Sequence, residues 1–353
     1  HKNMKRLGNL YSRICDKAMI ELADDCARRG KHNWGIKKHD MHRESDNQKL
    51  LESLINLTYK TSEYDKFTIF EPKERIIFRL PYFPDRIAQW DIMLTMEPIW
   101  VKTFISQTYS CIKDRGIHKL AKDVKKALRN DKQGTRYCLK LDVRKFYPSI
   151  DHEILKNKIL RRKIKDKMLL AVLDEIVDSA DGVPIGNYLS QFFANLYLSY
   201  FDHWIKEELK VKHYFRYADD IVILSDSKEE LRKILILIKL YFHQELNLEV
   251  KPNYQIFPVE SRGIDFAGYV FFHTHTLLRK SIKQRIFKLI NKYKAGKISL
   301  EELKRRLTSY FGWLKYCDYK NLLQKIERET GIHYSNWNGT DAKISDFYGK
   351  CVK

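Results

Sequence analysis

The sequence predicts an α+β fold, and three features of its central part predict it. Residues 139–143 alternate apolar and polar side chains as a short strand does, and Asp142 stands at its end. Residues 215–224 form two apolar runs joined by an acidic turn, which predicts a tight hairpin. Residues 227–246 have the apolar spacing of an amphipathic helix. This order of elements predicts an antiparallel sheet with helices layered on one face.

The charge of the chain points to a polyanionic partner. Its 353 residues include 66 Lys and Arg against 45 Asp and Glu, a formal net charge of +21, and nucleic acid fits this excess best. Neither a run of about 18 apolar residues nor a signal peptide is found, so we expect no membrane partner and a cytoplasmic location. The six cysteines include no CxxC pair, so neither a zinc knuckle nor a disulfide framework is expected.

The N-terminal part predicts helices around one hairpin. Residues 5–66 have a mostly helical and basic pattern. Residues 67–80 carry β-branched and aromatic side chains on both sides of a polar turn at 71–74, which predicts a hairpin. Residues 85–128 return to a helical pattern with a break near 109–116.

The C-terminal part predicts a basic helical lobe. Residues 281–326 are helical in pattern, and Ser299 with Glu302 forms a capping box at the start of one helix. Residues 276–330 contain 15 Lys and Arg against 5 Asp and Glu, a net charge of +10. We therefore expect this lobe to hold a duplex backbone.

The paired carboxylates of the hairpin turn predict a metal site. Asp219 and Asp220 repel each other, and a folded protein tolerates such a pair best when a divalent cation neutralises it. Asp142 ends a neighbouring strand and supplies a third carboxylate. Phosphoryl transfer by two Mg²⁺ ions about 4 Å apart needs carboxylates that bridge both ions. A solvated acidic turn is the alternative, and the flanking apolar strands with Asp142 disfavour it.

Four sequence motifs resemble those of reverse transcriptases. Leu141-Asp142 with the FYPSID run at 146–151, GVPIGN at 182–187 and YADD at 217–220 are similar to motifs A, B and C of that family in order and spacing. GIDFAGY at 263–269 is similar to the strand that precedes the thumb. The resemblance implies a right-hand polymerase fold with fingers, a palm carrying an antiparallel sheet, and a helical thumb.

The resemblance divides the chain into lobes. It implies these segments: a helical basic N-terminal extension at 4–66, fingers at 67–138, a palm with interleaved fingers helices at 139–275, a helical basic thumb at 276–330, and a C-terminal tail at 331–353. It implies an RNA-directed DNA polymerase that uses dNTPs, copies a template RNA and holds an RNA–DNA hybrid.

The resemblance also implies roles for individual residues. Asp142, Asp219 and Asp220 would be catalytic, and the same three with Val143 would hold two Mg²⁺ ions, for which Mn²⁺ can substitute. The nucleotide-binding set would be Arg75, Arg79, Phe146, Tyr147, Ile185 and Gln191, with Tyr147 as the steric gate against a 2′-hydroxyl. The nucleic-acid-binding set would be Lys73, Lys280, Lys283, Arg285, Lys304 and Arg305. Asn195 shares a helix face with Gln191 and would point toward template or nucleotide.

One motif is similar to a narrower group, the enzymes of diversity-generating retroelements. The stretch IGNYLSQ at 185–191 matches their I-G-x-x-x-S-Q signature, and accurate polymerases usually place Gln where Ile185 lies. An apolar group beside the nascent base pair cannot test its geometry through hydrogen bonds, so relaxed fidelity at template adenines is expected. That group works in bacteria and phage-infected cells with a structured template RNA and a small basic oligomeric accessory protein.

Three other interpretations stay open. A defence-associated or abortive-infection bacterial reverse transcriptase would share the carboxylates and differ in genomic neighbourhood. A group II intron-type enzyme is disfavoured because the sequence shows no maturase or nuclease extension. A non-catalytic RNA-binding scaffold belongs to another class of protein, and the intact carboxylates argue against it.

Overall fold

The computed structural model describes residues 5–70 and 73–333. Its strands are β1 Asp65–Ile69, β2 Arg75–Arg79, β3 Thr108–Tyr109, β4 Tyr137–Asp142, β5 His213–Tyr217, β6 Asp220–Ser225, β7 Gln255–Pro258, β8 Ile264–Phe266, β9 Tyr269–Phe271 and β10 Thr276–Leu278. Helices and antiparallel-rich sheets alternate along this part of the chain, so the predicted α+β class is confirmed.

Most of the helices lie where the sequence patterns place them. The first part has α1 Tyr11–Ile14, α2 Lys17–Arg28, α3 Trp34–Asp40, α4 Arg43–Ile55, α5 Ile87–Val101 and α6 Ile117–Asn130. The central part has α7 Phe146–Ser149, α8 Arg161–Lys163, α9 Lys167–Val177, α10 Tyr188–Tyr197, α11 Ser199–His203, α12 Lys228–Tyr241 and α13 Val259–Arg262. The last part has α14 Lys280–Lys294, α15 Leu300–Leu314 and α16 Lys320–Thr330. Short π-helical segments add Tyr82–Arg86, Ile154–Leu160, Trp204–Glu208 and Phe242–Leu246.

The central five-stranded sheet has the order β3-β5-β6-β4-β7. All neighbours in it are antiparallel except β3, which runs parallel to β5. The sequence predicts β4 at 139–143, and the strand begins two residues earlier because Tyr137 pairs with both Ser225 and Pro258. Strand β3 lies in the predicted helix break at 109–116 and just before it, where the sequence analysis predicted no strand.

The prediction of helices on one face of this sheet is wrong, because the sheet is buried on both faces. In β6, Ile221 and Ile223 belong to one hydrophobic core with α5, α9, α10 and α12, whereas Val222 and Leu224 belong to a second core. The second core contains α6 and the helices of the C-terminal lobe. A strand covered on both faces is apolar at every position, and residues 221–224 have that pattern.

Two further sheets flank the central one. Strands β1 and β2 form the predicted hairpin, with Asp65 opposite Arg79 and Ile69 opposite Arg75. Part of its turn, residues 71 and 72, lies outside the described residues, as does most of the predicted C-terminal tail. Strands β8, β9 and β10 form a separate antiparallel sheet that packs with α14, α15 and α16. Across the described ranges, no helix is both long and apolar enough to cross a membrane.

The predicted helix signals of the C-terminal lobe and of α12 are confirmed. Ser299 accepts a hydrogen bond from the Glu302 N–H at the start of α15, which is one half of the capping box. The Glu302 carboxylate accepts from Arg305 and Arg306 instead of forming the other half. Ser227 caps α12 in the same way through the Glu230 N–H. Caps of this kind satisfy backbone donors that the first helical turn leaves without partners.

Candidate active site

Strand pairing brings together the two carboxylates at the strand ends. Asp142 is the last residue of β4, and Asp220 is the first residue of β6. The antiparallel ladder places Asp142 directly opposite Asp220. Directly opposed side chains project from the same face of a sheet, with Cβ atoms roughly 5 Å apart. The two carboxylates are therefore neighbours although they lie far apart in the sequence.

The third carboxylate lies in the turn between β5 and β6. Tyr217 pairs with Asp220, so Ala218 and Asp219 form the turn itself. Ala218 has a φ of +53°, a left-handed conformation that costs a non-glycine residue about 1–2 kcal/mol. The Val143 N–H donates a hydrogen bond to the Asp219 carbonyl at 3.3 Å. This bond ties the strained turn to the chain immediately after Asp142.

Burial and neighbouring carboxylates raise the pKa of Asp219 and of Asp220. Burial, and then the charge of Asp142, raise the pKa of Asp219 above its usual range. Burial raises the pKa of Asp220 as well, and the charges of Asp142 and Asp219 add to it, while Lys140 opposes the shift. The Lys140 ammonium lies 3.4 Å from Asp220 Oδ2. The site thus concentrates negative charge where little water screens it, which favours a bound cation.

The donor atoms suit hard divalent cations. Asp220 Oδ1 is buried and has no hydrogen-bond partner among the described residues. Within residues 5–70 and 73–333, no three His, Cys, Asp or Glu side chains already have an arrangement that could hold a metal ion. Mg²⁺ is commonly held by one or two carboxylates together with substrate phosphates and water, so a full cage of protein ligands is not required. The Val143 side chain has no ligand atom, so the atom that this residue can offer is its carbonyl oxygen.

A buried ion pair supports the turn that carries Asp219, and the sequence analysis missed it. Arg216 and Asp202 are both fully buried, and two guanidinium nitrogens lie 2.7 Å and 2.8 Å from the carboxylate oxygens. Arg216 Nη1 also donates to the Ala218 carbonyl at 2.8 Å and to Asn195 Oδ1 at 3.1 Å. Tyr214 donates to Asp202 from the same strand. This network holds the residue before Asp219 in place.

The network also corrects the placement of Asn195. Its side chain is buried, and its Nδ2 donates to the Ser110 carbonyl at 3.0 Å while its oxygen accepts from Arg216. The expectation that it points toward template or nucleotide is therefore wrong. A detectable sequence signal was the Arg within an apolar strand, because a buried guanidinium requires an acidic partner.

The loop at residues 182–187 joins the hairpin β1–β2 to the central sheet. The Phe78 N–H donates to the Ile185 carbonyl at 2.8 Å, and Asn187 Nδ2 donates to the Phe78 carbonyl at 3.3 Å. A Cβ on Gly186 would lie 3.0 Å from the Ile77 side chain. The hairpin and the loop are thus one unit beside the carboxylates.

The same loop docks on the chain after Asp142 at one glycine. Gly182 has a φ of +60°, and a Cβ there would lie 2.5 Å from the Tyr147 carbonyl. The Val183 N–H donates to that carbonyl at 2.9 Å, and His152 Nε2 donates to the Gly182 carbonyl at 2.7 Å. Only glycine permits this approach of two backbones.

The predicted nucleotide-binding residues of the hairpin separate into two positions. Arg75 and Lys73 are exposed, and their charges act on Asp219 and lower its pKa, so both face the carboxylates. Arg79 instead forms an ion pair with Asp65, its partner in the ladder. The structure therefore brings Arg75 and Lys73, and not Arg79, to the carboxylate cluster.

The predicted residues of the loop and α7 also differ in exposure. Tyr147 is half-buried, and its pKa is raised by burial and then by nearby Cys111 and Asp219. Phe146 is 3% exposed and packs in the first core with its ring against Tyr147. Ile185 and Gln191 are half-buried. Tyr147 is thus partly exposed near Asp219, and Phe146 packs against it from the core.

The predicted thumb residues lie on two helices away from this cluster. Lys280, Lys283 and Arg285 are on α14, and Lys304 and Arg305 are on α15. Arg305 forms an ion pair with Glu302 at 2.7 Å. The Lys251 N–H donates to the Asp142 carbonyl at 2.8 Å and fixes the end of β4.

Comparison with protein families gives one match over most of the central region. The profile of the family described as "Reverse transcriptase (RNA-dependent DNA polymerase)" matches residues 66–271, which is more than half of the chain. That range includes β1 to β9, the three carboxylates and the docking loop. The matched range therefore covers the carboxylates and the elements that position them.

The curated relatives and the solved structure compared with this chain are 14–26% identical to it. Protein YkfC of Escherichia coli K12 is 24% identical over 57% of this chain and 62% of its own length. The group II intron-encoded protein LtrA of Lactococcus lactis subsp. cremoris is 21% identical over 63% of the chain and 49% of its own. The retron Ec73 reverse transcriptase of E. coli is 26% identical over 63% and 74%. Apo telomerase from Candida tropicalis has a TM-score of 0.49 at 14% identity, covering 79% of this chain and 61% of its own.

Proposed function

The chain belongs to the reverse transcriptase family, and we propose that it is an RNA-directed DNA polymerase that copies a template RNA into cDNA. The chain spans between half and three quarters of the curated relatives that it matches. The observation that carries the proposal is the ladder that sets Asp142 opposite Asp220, with Asp219 in the adjoining turn. Three acids so placed serve nucleotide transfer better than any structural role, because their mutual repulsion destabilises the fold without a cation.

The residues around the carboxylates have separable tasks in this proposal. Two bound Mg²⁺ or Mn²⁺ ions would activate the primer hydroxyl and neutralise the leaving oxygens. Asp142, Asp219, Asp220 and the Val143 carbonyl would hold them. Lys73 and Arg75 would bind the triphosphate of the dNTP, since their charges already act on Asp219. Tyr147 would exclude a 2′-hydroxyl by contact.

The lobes would then act as a right hand. The hairpin and its neighbours would be the fingers, the central sheet the palm, and α14 to α16 the thumb. Lys280, Lys283, Arg285, Lys304 and Arg305 would bind the backbone of the RNA–DNA hybrid through charge. Arg305 contributes less than the others, because Glu302 already neutralises it.

Primer extension on an RNA template tests the proposed activity. Wild-type protein should extend a DNA primer with dNTPs and Mg²⁺, and Asp219→Asn should lower kcat about 1000-fold because several kcal/mol of metal stabilisation are lost. Asp226→Asn is the matched control, since Asp226 is an exposed acid just beyond β6. A wild-type protein that makes no DNA, or an Asp219→Asn variant as active as the control, would contradict the proposal.

Within this family, the motif at 185–191 supports a mutagenic role in a diversity-generating retroelement. Ile185 is half-buried, and the Phe78 N–H fixes its carbonyl, so its backbone has a defined position. In this role its side chain would lie beside the nascent base pair. It cannot donate or accept a hydrogen bond to test that pair. The partners in this role would be a structured template RNA and a small basic oligomeric protein.

The fidelity of the enzyme tests this role. Ile185→Gln should lower the misincorporation rate at template adenines by several-fold, because an amide can form the hydrogen bonds that an alkyl group cannot. Ile185→Val is the control for a change of volume alone. Sequencing of cDNA from one RNA template gives the error spectrum. Identical spectra for Ile185→Gln and wild type would remove the mutagenic assignment and leave the polymerase assignment intact.

A retron-type or defence-associated role is the second candidate. The chain is 26% identical to the retron Ec73 enzyme and 21% identical to the group II intron protein LtrA. A group II intron-type enzyme is a third candidate. Sequencing the RNA that copurifies with the protein, and the cDNA made from it, separates these roles: a repeat that matches a variable gene indicates diversification, and a short structured RNA joined to DNA indicates a retron.

A further inference from the structure

A second cleft lies apart from the carboxylates. Its volume is about 460 Å³, and it lies between the Ile154–Leu160 segment with α8, Tyr200 of α11, and the end of α12. None of the three catalytic carboxylates or the nucleotide-binding residues lines it. The volume is in the range of small-ligand sites, which is roughly 300–1000 Å³.

The rim of this cleft carries uncompensated positive charge. Arg6, Lys158 and Arg162 line it, and within the described residues none of the three forms an ion pair. Arg161 also lines it but is already held by Asp174 at 2.8 Å, and Glu245 is the single acidic residue of the lining. Three cations at one concave surface favour an anion such as a phosphate.

The inner surface of the cleft is aromatic and apolar. The Arg162 guanidinium lies 3.9 Å from the centre of the Tyr200 ring, and the Tyr241 ring packs against Trp204 at a tilt of 33° with ring centres 4.6 Å apart. Ile159 and Leu246 form a buried floor. Fixed aromatic faces beside cations are the features with which proteins hold single-stranded nucleic acid, because every base has a face that stacks.

We propose that this cleft binds one nucleotide of an RNA strand away from the active site. The phosphate lies on Arg6, Lys158 and Arg162, and the base packs against Tyr241 over the floor of Ile159. RNA is chosen as the polyanion because the chain is proposed to be a polymerase. The observations on the cleft itself are independent of that proposal. An acidic peptide would satisfy the cations but has no planar ring for the tyrosines, so RNA fits the whole surface better.

The salt dependence of binding tests the phosphate contacts. Lys158→Gln/Arg162→Gln should weaken binding of an RNA–DNA hybrid that carries a long single-stranded RNA extension, and leave binding of the blunt hybrid unchanged. Each phosphate neutralised on a single strand contributes about 0.7 to the slope of log K against log salt, and the cleft holds one phosphate, so the slope should fall by about 0.7. Arg232→Gln, an exposed cation of α12 outside the cleft, is the matched control and should keep the wild-type slope. Equal slopes for wild type and the double variant would overturn the proposal.

Crosslinking tests the position of the base. RNA that contains 4-thiouridine in the extension should crosslink to the peptide with Tyr241 in wild type, and the yield should fall several-fold in the double variant but not in Arg232→Gln. Crosslinks confined to other peptides, or displacement by poly-glutamate as effective as by unlabelled RNA, would overturn the assignment to RNA. AMP binding lost in the double variant, with RNA binding unchanged, would also overturn it in favour of a free nucleotide.

A separate primer-extension experiment tests the proposed polymerase activity. Primer extension on a hybrid whose RNA template continues only a few nucleotides past the primer should be equal for wild type and the double variant, because the cleft holds no catalytic residue. Failure of wild type to extend the primer would contradict the polymerase function. Loss of the Tyr241 crosslink in the double variant would support nucleotide binding in the cleft. Circular dichroism spectra of the double variant should match those of wild type, since both substituted side chains are exposed.

Discussion

The buried pair Arg216 and Asp202 should support catalysis as well as folding, and substitutions can separate the two roles. Arg216→Met leaves the Asp202 carboxylate buried without its cation. Removing one partner of a buried ion pair costs about 3–5 kcal/mol. The double variant Arg216→Met/Asp202→Leu removes the unpaired buried charge, but Tyr214, Asn195 and the Ala218 carbonyl each lose a partner, so only part of the unfolding free energy should return.

The catalytic effect should not return with stability. Both variants lose the hydrogen bond from Arg216 to the Ala218 carbonyl, which positions the strained turn before Asp219. A hydrogen bond from a charged donor contributes about 1.5–3 kcal/mol, and if this is lost from the position of Asp219, kcat falls roughly 10- to 100-fold. The KM for the dNTP should change little, because Lys73 and Arg75 are untouched.

The assay pairs urea unfolding with single-nucleotide primer extension at saturating dNTP. Arg28→Met is the matched control, since Arg28 pairs with the fully buried Asp24 in the N-terminal helices, away from the turn. It should lower stability and leave kcat of the folded protein unchanged. A double variant at Arg216 and Asp202 that regains kcat together with stability would refute the positioning role.

Two further substitutions follow from the loop and from the charge of the site. Gly182→Ala should lower the urea midpoint and the primer-extension rate far more than Gly30→Ala, because both glycines have positive φ but only Gly182 would place a Cβ 2.5 Å from the Tyr147 carbonyl; equal effects would refute the docking argument. Lys140→Met should move the acidic limb of the profile of kcat against pH to higher pH by roughly half a unit. The reason is that the Lys140 ammonium, which lowers the pKa of Asp220, is lost. Lys140→Arg keeps a positive charge and should retain the wild-type limb.

The sequence predicted the elements that have strong local patterns. Strand β4 and the β5–β6 hairpin followed from apolar alternation around acids, and α15 followed from its capping box. Their pairing could be expected from the turn, because a two-residue connection fixes the register of Tyr217 against Asp220. The position of Asp142 opposite Asp220 was an expectation from resemblance, and the ladder of β4 with β6 is the geometry that supports it.

Features that depend on contacts distant in sequence could not be predicted. The partner of Arg216 is fixed by the packing of α11 under the sheet, and no local pattern identifies Asp202. The hydrogen bonds between Phe78 and the 182–187 loop join segments more than 100 residues apart. Arg79 is occupied by Asp65 only because the hairpin register makes them partners. Each of these follows from tertiary structure rather than from propensity.

Counting the metal ions bound to the protein tests whether the three carboxylates form a shared metal site. Electron paramagnetic resonance can count Mn²⁺ on the protein in complex with an RNA–DNA hybrid, a chain-terminated primer and the next dNTP. We expect two Mn²⁺ ions per active site in wild type and in Asp226→Asn, and fewer in Asp219→Asn. The same count in all three proteins would contradict it.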